Sequence, residues 1–232
     1  MCGRFSLYEP SDRVARFFAV DEVAPGEPDA RFNVAPSQLV FSVVCSRDGE
    51  RRRLGTLRWG LVPGWAKDPS IGNRLINARA ETVADAPSFR RAFERRRCLV
   101  PVNGFFEWWH DPEATRRRGR PFFVRPPDQA LLALGGVWEV WHGPDDQVLR
   151  TVAIVTTMAN AEVSAIHDRM PVIVEADDWA RWLAPEALKR AEAGRLLRPS
   201  PAGRLQLVEV ADLVNNPRND RPETIEAVGP AT

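Results

Sequence analysis

The clearest pattern along the chain is a pair of long apolar, β-branched runs, LLALGGVWEVW (131–141) and VLRTVAIVTT (148–157), flanking the turn-rich stretch GPDD. This arrangement predicts an antiparallel strand pair. Shorter runs of the same character recur at LVFSVVCS (39–46), TLRWGLV (56–62), CLVPV (98–102), FFEWW (105–109), 121–124, 172–174 and LQLVEV (205–210). Breaks at Pro63-Gly64 and Asn103-Gly104 punctuate them, and FFEWW with 121–124 reads as a hairpin-like unit. Helical spacing appears in four places. Ser11 to Phe18 sets Val14, Phe17 and Phe18 on one face with Ser11 as N-cap, and SFRRAFERRR (88–97) sets Phe89, Ala92 and Phe93 inward with Ser88 as cap. DDWARWLA, capped by Asp177 or Asp178, and PEALKRAEAGRLL supply the other two. No internal repeat interrupts the series. The balance of strands over helices predicts an α+β fold: a mostly antiparallel, barrel-like sheet with peripheral helices.

At 232 residues the chain can bury a sizeable core, and it reads as a single domain over 1–226 with a short tail at 227–232. A composition of 44% hydrophobic and 27% charged residues excludes a disordered or fibrous protein. No apolar stretch approaches the roughly 18 to 20 residues of a membrane span, and MCGRFSLYEP lacks the apolar centre of a secretory signal, so a cytoplasmic location is expected. Cys2, Cys45 and Cys98 are odd in number, far apart and without a CxxC pair. They suggest reduced thiols rather than disulfides or zinc, and nothing calls for a metal or cofactor. A net charge of +1 argues against a nonspecific nucleic-acid coat. The basic residues are nevertheless almost all arginine, Lys67 and Lys189 being the exceptions, and they cluster at 51–53, 88–97 and 115–120. Such clusters are either solvated surface or two-pronged phosphate contacts.

Candidate chemistry begins at Cys2. Removal of Met1 would leave a free α-amine beside a thiol, with ordinary pKa values of roughly 8 and 8.5, so both nucleophiles are usable near neutrality. An aldehyde would condense with the amine to an imine, and the thiol would close a five-membered thiazolidine. The competing reading is an incidental small residue at a terminus, although Gly3, Arg4 and Phe5 supply a tight path, an anion contact and a core anchor. In LINARAET (75–82) the polar Asn77, Arg79 and Glu81 alternate with apolar or small residues and would share one face of an extended segment. Glu107 lies among Phe105, Phe106, Trp108 and Trp109, where a carboxylate has its pKa raised into the range of a general acid and base; an ion pair with arginine is the alternative. His167, in AIHDRMP, is placed either for proton transfer or for a bond to Asp168 or the backbone.

Taken together, MCGRF, RFNVAPSQ (31–38), WGLVPGWAKD (59–68), LINARAET, PVNGFFEWW (101–109), AIHDRMPVI (165–173) and NPRNDRPETIE (216–226) resemble the SOS response-associated peptidase family over residues 1 to about 226. The resemblance implies a sensor of abasic sites in single-stranded DNA that forms a thiazolidine crosslink through Cys2, with Schiff-base, lyase or self-release chemistry, acting as a monomer. It further implies that Glu107 supplies acid and base, Asn77 orients the sugar and His167 moves protons. By the same resemblance Arg4, Arg79 and Arg169 hold phosphates, and Trp65 and Trp108 stack on bases. Trp109 and His110 stand where related sequences more often carry polar or basic residues, and Arg221 follows Asp220 in the tail motif. Two other classes remain beside it: a cysteine peptidase or amidase, and a noncovalent single-stranded DNA-binding module.

Overall fold

The structure is a computed structural model that describes residues 2–25, 30–111, 119–188 and 190–229. Among the described residues thirteen strands run in chain order: β1 Phe5–Leu7, β2 Glu22–Val23, β3 Arg31–Val34, β4 Leu39–Cys45, β5 Arg52–Trp59, β6 Asn77–Arg79, β7 Arg97–Val102, β8 Gly104–Trp109, β9 Arg120–Arg125, β10 Leu132–His142, β11 Val148–Met158, β12 Arg169–Pro171 and β13 Gln206–Glu209. Four short helices accompany them: α1 Ser11–Phe17, α2 Arg90–Arg95, α3 Trp179–Leu183 and α4 Arg190–Leu196. The predicted long pair is β10–β11, antiparallel from Gly136↔Ile154 to His142↔Val148.

From β11 the hydrogen-bonded order runs β10, β7, β4, β5, and β5 returns to β11 through the parallel pairs Thr151↔Arg58 and Val152↔Trp59. Those five strands therefore close into a barrel, as the sequence predicts. A second sheet, ordered β13-β9-β8-β1-β3, lies against it. The predicted hairpin-like unit is β8–β9, in register at Phe105↔Val124. Asn103 marks the crossing between sheets: its side chain accepts from the Tyr8 N–H at 2.9 Å, and its own N–H bonds Ser6 O at 2.8 Å. Gly104 follows because a Cβ there would lie 2.6 Å from both the Phe123 ring and Val124 O.

Alternation along the barrel strands separates two apolar clusters. Cys98, Val100, Val102, Val152 and Ile154 pack with Phe5, Phe105 and Val124 of the second sheet. Their neighbours Leu99, Ala153 and Val155 pack with Phe18, Trp179 and Trp182 from the helical side. Burial on both faces explains why these strands read as near-continuous apolar runs. Each large side chain buried there contributes roughly 1.5 to 3 kcal/mol.

The local expectations need correction at helix starts. Pro10, not Ser11, is the N-cap of α1; Phe89, not Ser88, precedes α2; and Asp178 caps α3 by position without a side-chain bond. Helices this short are held by packing, so cap chemistry decides little. The strand expected at 172–174 begins earlier, at Arg169, and continues only as the bridge Leu134↔Ile173. LINARAET is extended only over Asn77–Arg79; the Thr82 and Val83 N–H groups then bond Arg79 O and turn the chain. Met1 and all but the last two residues of the 115–120 arginine cluster lie outside the described residues.

Candidate functional site

Cys2 stands just ahead of β1, fully buried in the cluster between the two sheets. Two features of β1 fix it. Phe5 packs on Trp59 at a centroid distance of 5.0 Å, and Arg4 O accepts from the Phe106 N–H at 2.9 Å, which lays the N-terminal segment alongside β8 and Glu107. Trp59 Nε1 donates to Ile76 O at 2.9 Å, so the same indole positions the approach to β6. There Asn77 Nδ2 donates to Cys2 O at 2.8 Å. Asn77 Oδ1 is buried without a hydrogen-bond partner, an arrangement that costs about 1 to 3 kcal/mol and points to a donor arriving with a ligand.

Glu107 is 2% exposed. Burial raises its pKa to about 7, poising it between proton donor and acceptor at neutral pH. Burial, with the Glu107 carboxylate adding to it, raises the Cys2 thiol well above its ordinary value, so the sulfur is held protonated. His167 follows the short 3₁₀ turn Val163–Ala165 and presents Nε2 4.0 Å from Glu107 Oε2. That separation suits proton exchange through one intervening group rather than a direct bond. Its Nδ1 lies 2.9 Å from the Arg169 N–H, which favours a neutral ring protonated on Nε2, and 3.0 Å from Asp168 Oδ1, which favours the charged ring. Burial comes first among the influences on His167 and lowers its pKa. The ring is thus held by the backbone with Asp168 beside it, and its other nitrogen faces Glu107.

The four residues singled out for chemistry, Cys2, Asn77, Glu107 and His167, therefore converge. Those singled out for binding differ among themselves. Arg79 is exposed on the strand that carries Asn77. Arg4 Nη1 donates to Asn33 Oδ1 at 2.8 Å and Val214 O at 2.7 Å, and its burial lowers its pKa. The Arg169 fork is buried and engaged by Glu81, with Nη1 and Nη2 each 3.0 Å from a carboxylate oxygen. Trp65 is 58% exposed but tied to the segment before α2, through Nε1 to Pro87 O at 3.4 Å. Trp108 is half-buried, and its Nε1 donates to Asn215 Oδ1 at 2.7 Å. Sequence reasoning missed Trp59 and Asp220 as supports of this region. Asp220 accepts from the N–H groups of Phe32 and Asn33 at 2.6 and 3.0 Å, and its only signal was its place in the tail motif. Among the described residues no group of three or more His, Cys, Asp or Glu side chains is arranged to hold a metal ion.

Comparison with known proteins places this arrangement. The chain is 40% identical over 228 residues to the abasic site processing protein YoqW of Bacillus subtilis (strain 168), covering 98% of this chain and all of that one. It is 28% identical over 272 residues to the rat abasic site processing protein HMCES, covering 97% of this chain and 75% of the relative. A crystal structure of a protein from Bacteroides thetaiotaomicron shares the fold with a TM-score of 0.85 at 23% identity, covering 98% and 100% of the two chains. The family described as SOS response associated peptidase (SRAP) matches residues 1–217. The chain belongs to the SOS response associated peptidase family.

Proposed function

We propose that this protein processes abasic sites in DNA by capturing them covalently on Cys2. The observation that carries the reading is the convergence of Cys2, Asn77, Glu107 and His167 around a buried, unpartnered amide oxygen. The Bacillus and rat relatives bear the name abasic site processing protein, which supports the same substrate. An abasic deoxyribose is a masked aldehyde whose ring must open, so a poised acid and base is needed beside the nucleophile. Loss of Met1 frees the Cys2 amine, which attacks C1′; the resulting carbinolamine loses one water to give an imine. Sγ then adds to the imine carbon, and its proton passes to the imine nitrogen, closing the thiazolidine with no other product. Because burial keeps the thiol protonated, the amine acts first and the S–H proton leaves through Glu107 or His167. Asn77 Oδ1 accepts from a sugar or carbinolamine hydroxyl. Reversal through the same imine provides release, and strand cleavage from the imine provides lyase activity.

The raised thiol pKa disfavours a conventional cysteine peptidase, whose nucleophile is the thiolate. Single-stranded DNA is the form that suits an exposed Trp65 and Arg79, since stacking on an aromatic side chain is worth about 1 to 3 kcal/mol per base. A monomer in the cytoplasm, associated with the nucleoid when on DNA, accords with this reading; among the described residues no helix is long and apolar enough to cross a membrane. The test is intact mass of the protein before and after exposure to an abasic single-stranded oligonucleotide. Loss of Met1 and a denaturation-resistant adduct of one DNA per chain are expected. Neither Cys2→Ala nor Cys2→Ser should form a denaturation-resistant adduct; each keeps the α-amine and gives only an imine that borohydride traps. A stable adduct on Cys2→Ala, or salt-reversible binding with no covalent species, sinks the proposal.

A further inference from the structure

We propose that Glu81 is a positioning residue for His167, acting through Arg169; this rests on the function proposed above. Strand β11 carries the site on both of its edges. At Thr156 it pairs with Arg79 of β6 on one side and with Pro171 of β12 on the other, and Met158 pairs with Arg169. Asn77 belongs to the first edge strand, and His167 lies two residues before the second. Glu81 leaves β6 in the turn just past Arg79 and reaches across to β12, where its two oxygens hold Nη1 and Nη2 of Arg169 at 3.0 Å each. The Arg169 fork is completed by Thr156 O at 2.7 Å, the carbonyl that also accepts the Ala80 N–H.

One carboxylate thus ties both edge strands together over the end of β11. The consequence reaches the chemistry because the Arg169 N–H is the donor 2.9 Å from His167 Nδ1. A guanidinium anchored at both prongs fixes the start of β12, and with it the orientation of the imidazole toward Glu107. Without Glu81 the buried Arg169 guanidinium keeps the neutral partners Thr156 and the Met158 sulfur but no counter-charge, and it is driven toward water, since a buried cation without a counter-charge is costly. The turn at 167–169 then loosens. The groups that act on His167 include the chain's amino terminus, Glu107 from β8, Asp168 and Arg169 from its own turn, and His110 beyond β8. None of these is Glu81, whose influence on the ring is mechanical. The carboxylate is itself 47% exposed, so its replacement leaves no apolar cavity.

The experiment compares wild type, Glu81→Gln, Glu81→Ala and Glu81→Asp, each with Met1 removed. Crosslinking rates on an abasic oligonucleotide are measured from pH 5.5 to 8.5, alongside binding of an intact oligonucleotide of the same sequence and titration of His167 by NMR in the free protein. Glu81→Ala and Glu81→Gln should slow crosslinking by about tenfold or more, the order expected for a misplaced reacting group. Binding of intact DNA should stay within about twofold, because the missing group is tied to Arg169 rather than offered to DNA. The His167 titration should rise toward the ordinary value near 6.5 as the ring loosens into water. Glu81→Asp, which keeps the charge, should recover part of the rate. Unchanged rate and titration in both Glu81→Gln and Glu81→Ala overturn the inference, as does a rate loss matched by weaker binding of intact DNA. If wild type forms no adduct the proposed function fails, and the NMR titration still decides whether Glu81 governs His167.

Discussion

At the residue scale, Glu107 shows how a buried carboxyl costs stability. Its carboxyl titrates near 4.5 in an unfolded chain and near 7 in the fold, because burial disfavours the charged form. Below pH 4.5 both states are protonated and the site costs nothing. Between pH 4.5 and 7 the unfolded chain gives up this proton while the fold retains it, so stability falls across that window and levels off once the buried carboxyl ionises above 7. At about 1.4 kcal/mol per pH unit, the full penalty above pH 7 is on the order of 3 kcal/mol. Glu107→Gln removes it. That variant should therefore melt higher than wild type at pH 8, with the gap shrinking toward pH 5. Thermal melts across that range test the claim, and a constant gap contradicts it. The same variant should crosslink about a hundredfold more slowly and lose the inflection near pH 7 in the rate profile. Gain in stability with loss of rate is the signature of a residue kept for chemistry.

At the scale of elements, short helices are finished by a side chain rather than by their own caps. Arg97, at the start of β7 and 2% exposed, donates to Phe93 O and Glu94 O at 2.6 and 2.7 Å, to Trp182 O at 2.7 Å, to Ala184 O and to Glu186 O at 2.8 Å. One guanidinium thus closes the ends of both α2 and α3, where helix carbonyls otherwise lack partners. Burial pushes its pKa down to about 10, still far above neutrality. Arg97→Met should lower stability by about 3 to 5 kcal/mol, because it leaves several buried carbonyls unpaired, and Arg97→Lys should recover less than half. Denaturant midpoints measure both. Nothing in SFRRAFERRR distinguished this arginine from its surface neighbours, since its contacts outside that segment lie 85 to 89 residues away in α3 and beyond. The long strands were legible because both faces are apolar and the turn at GPDD is explicit. Strands β1 and β3 were not, being three and four residues long and defined by their partners. In the site, residue chemistry marked out Cys2, Glu107 and His167. The link from Glu81 to Arg169 escaped detection because only a turn brings those two chains together.

At the scale of the whole molecule, the C-terminal segment closes over β3 and the N-terminal segment that carries Cys2. Asp220 accepts from the Phe32 and Asn33 N–H groups and from Arg31 Nε, joining positions nearly 190 residues apart. Asn33 Nδ2 donates to Val214 O, Asn216 O and Asn219 O at 3.2, 3.1 and 2.8 Å, and Arg4 reaches both Asn33 and Val214. Asn215 holds the Trp108 indole. Through these bonds the tail sets two residues singled out for DNA, Arg4 two positions after Cys2 and Trp108 next to Glu107. Asp220→Ala strips a charged acceptor from two backbone donors and an arginine, a loss of about 3 kcal/mol. For a domain of this size that corresponds to a melting point roughly 6 to 12 °C lower. The expected functional result is more specific than general weakening. At a temperature where the variant is folded, binding of intact single-stranded DNA should weaken several-fold as Arg4 and Trp108 lose their settings. The pH profile of crosslinking at saturating DNA should be unmoved, because Glu107 and His167 are held by β8 and β12. Asp220→Asn, which keeps one acceptor, should fall between the two. If Asp220→Ala instead shifts the pH profile while binding DNA normally, the tail acts on the chemistry itself, and the separation drawn between binding and reaction is wrong.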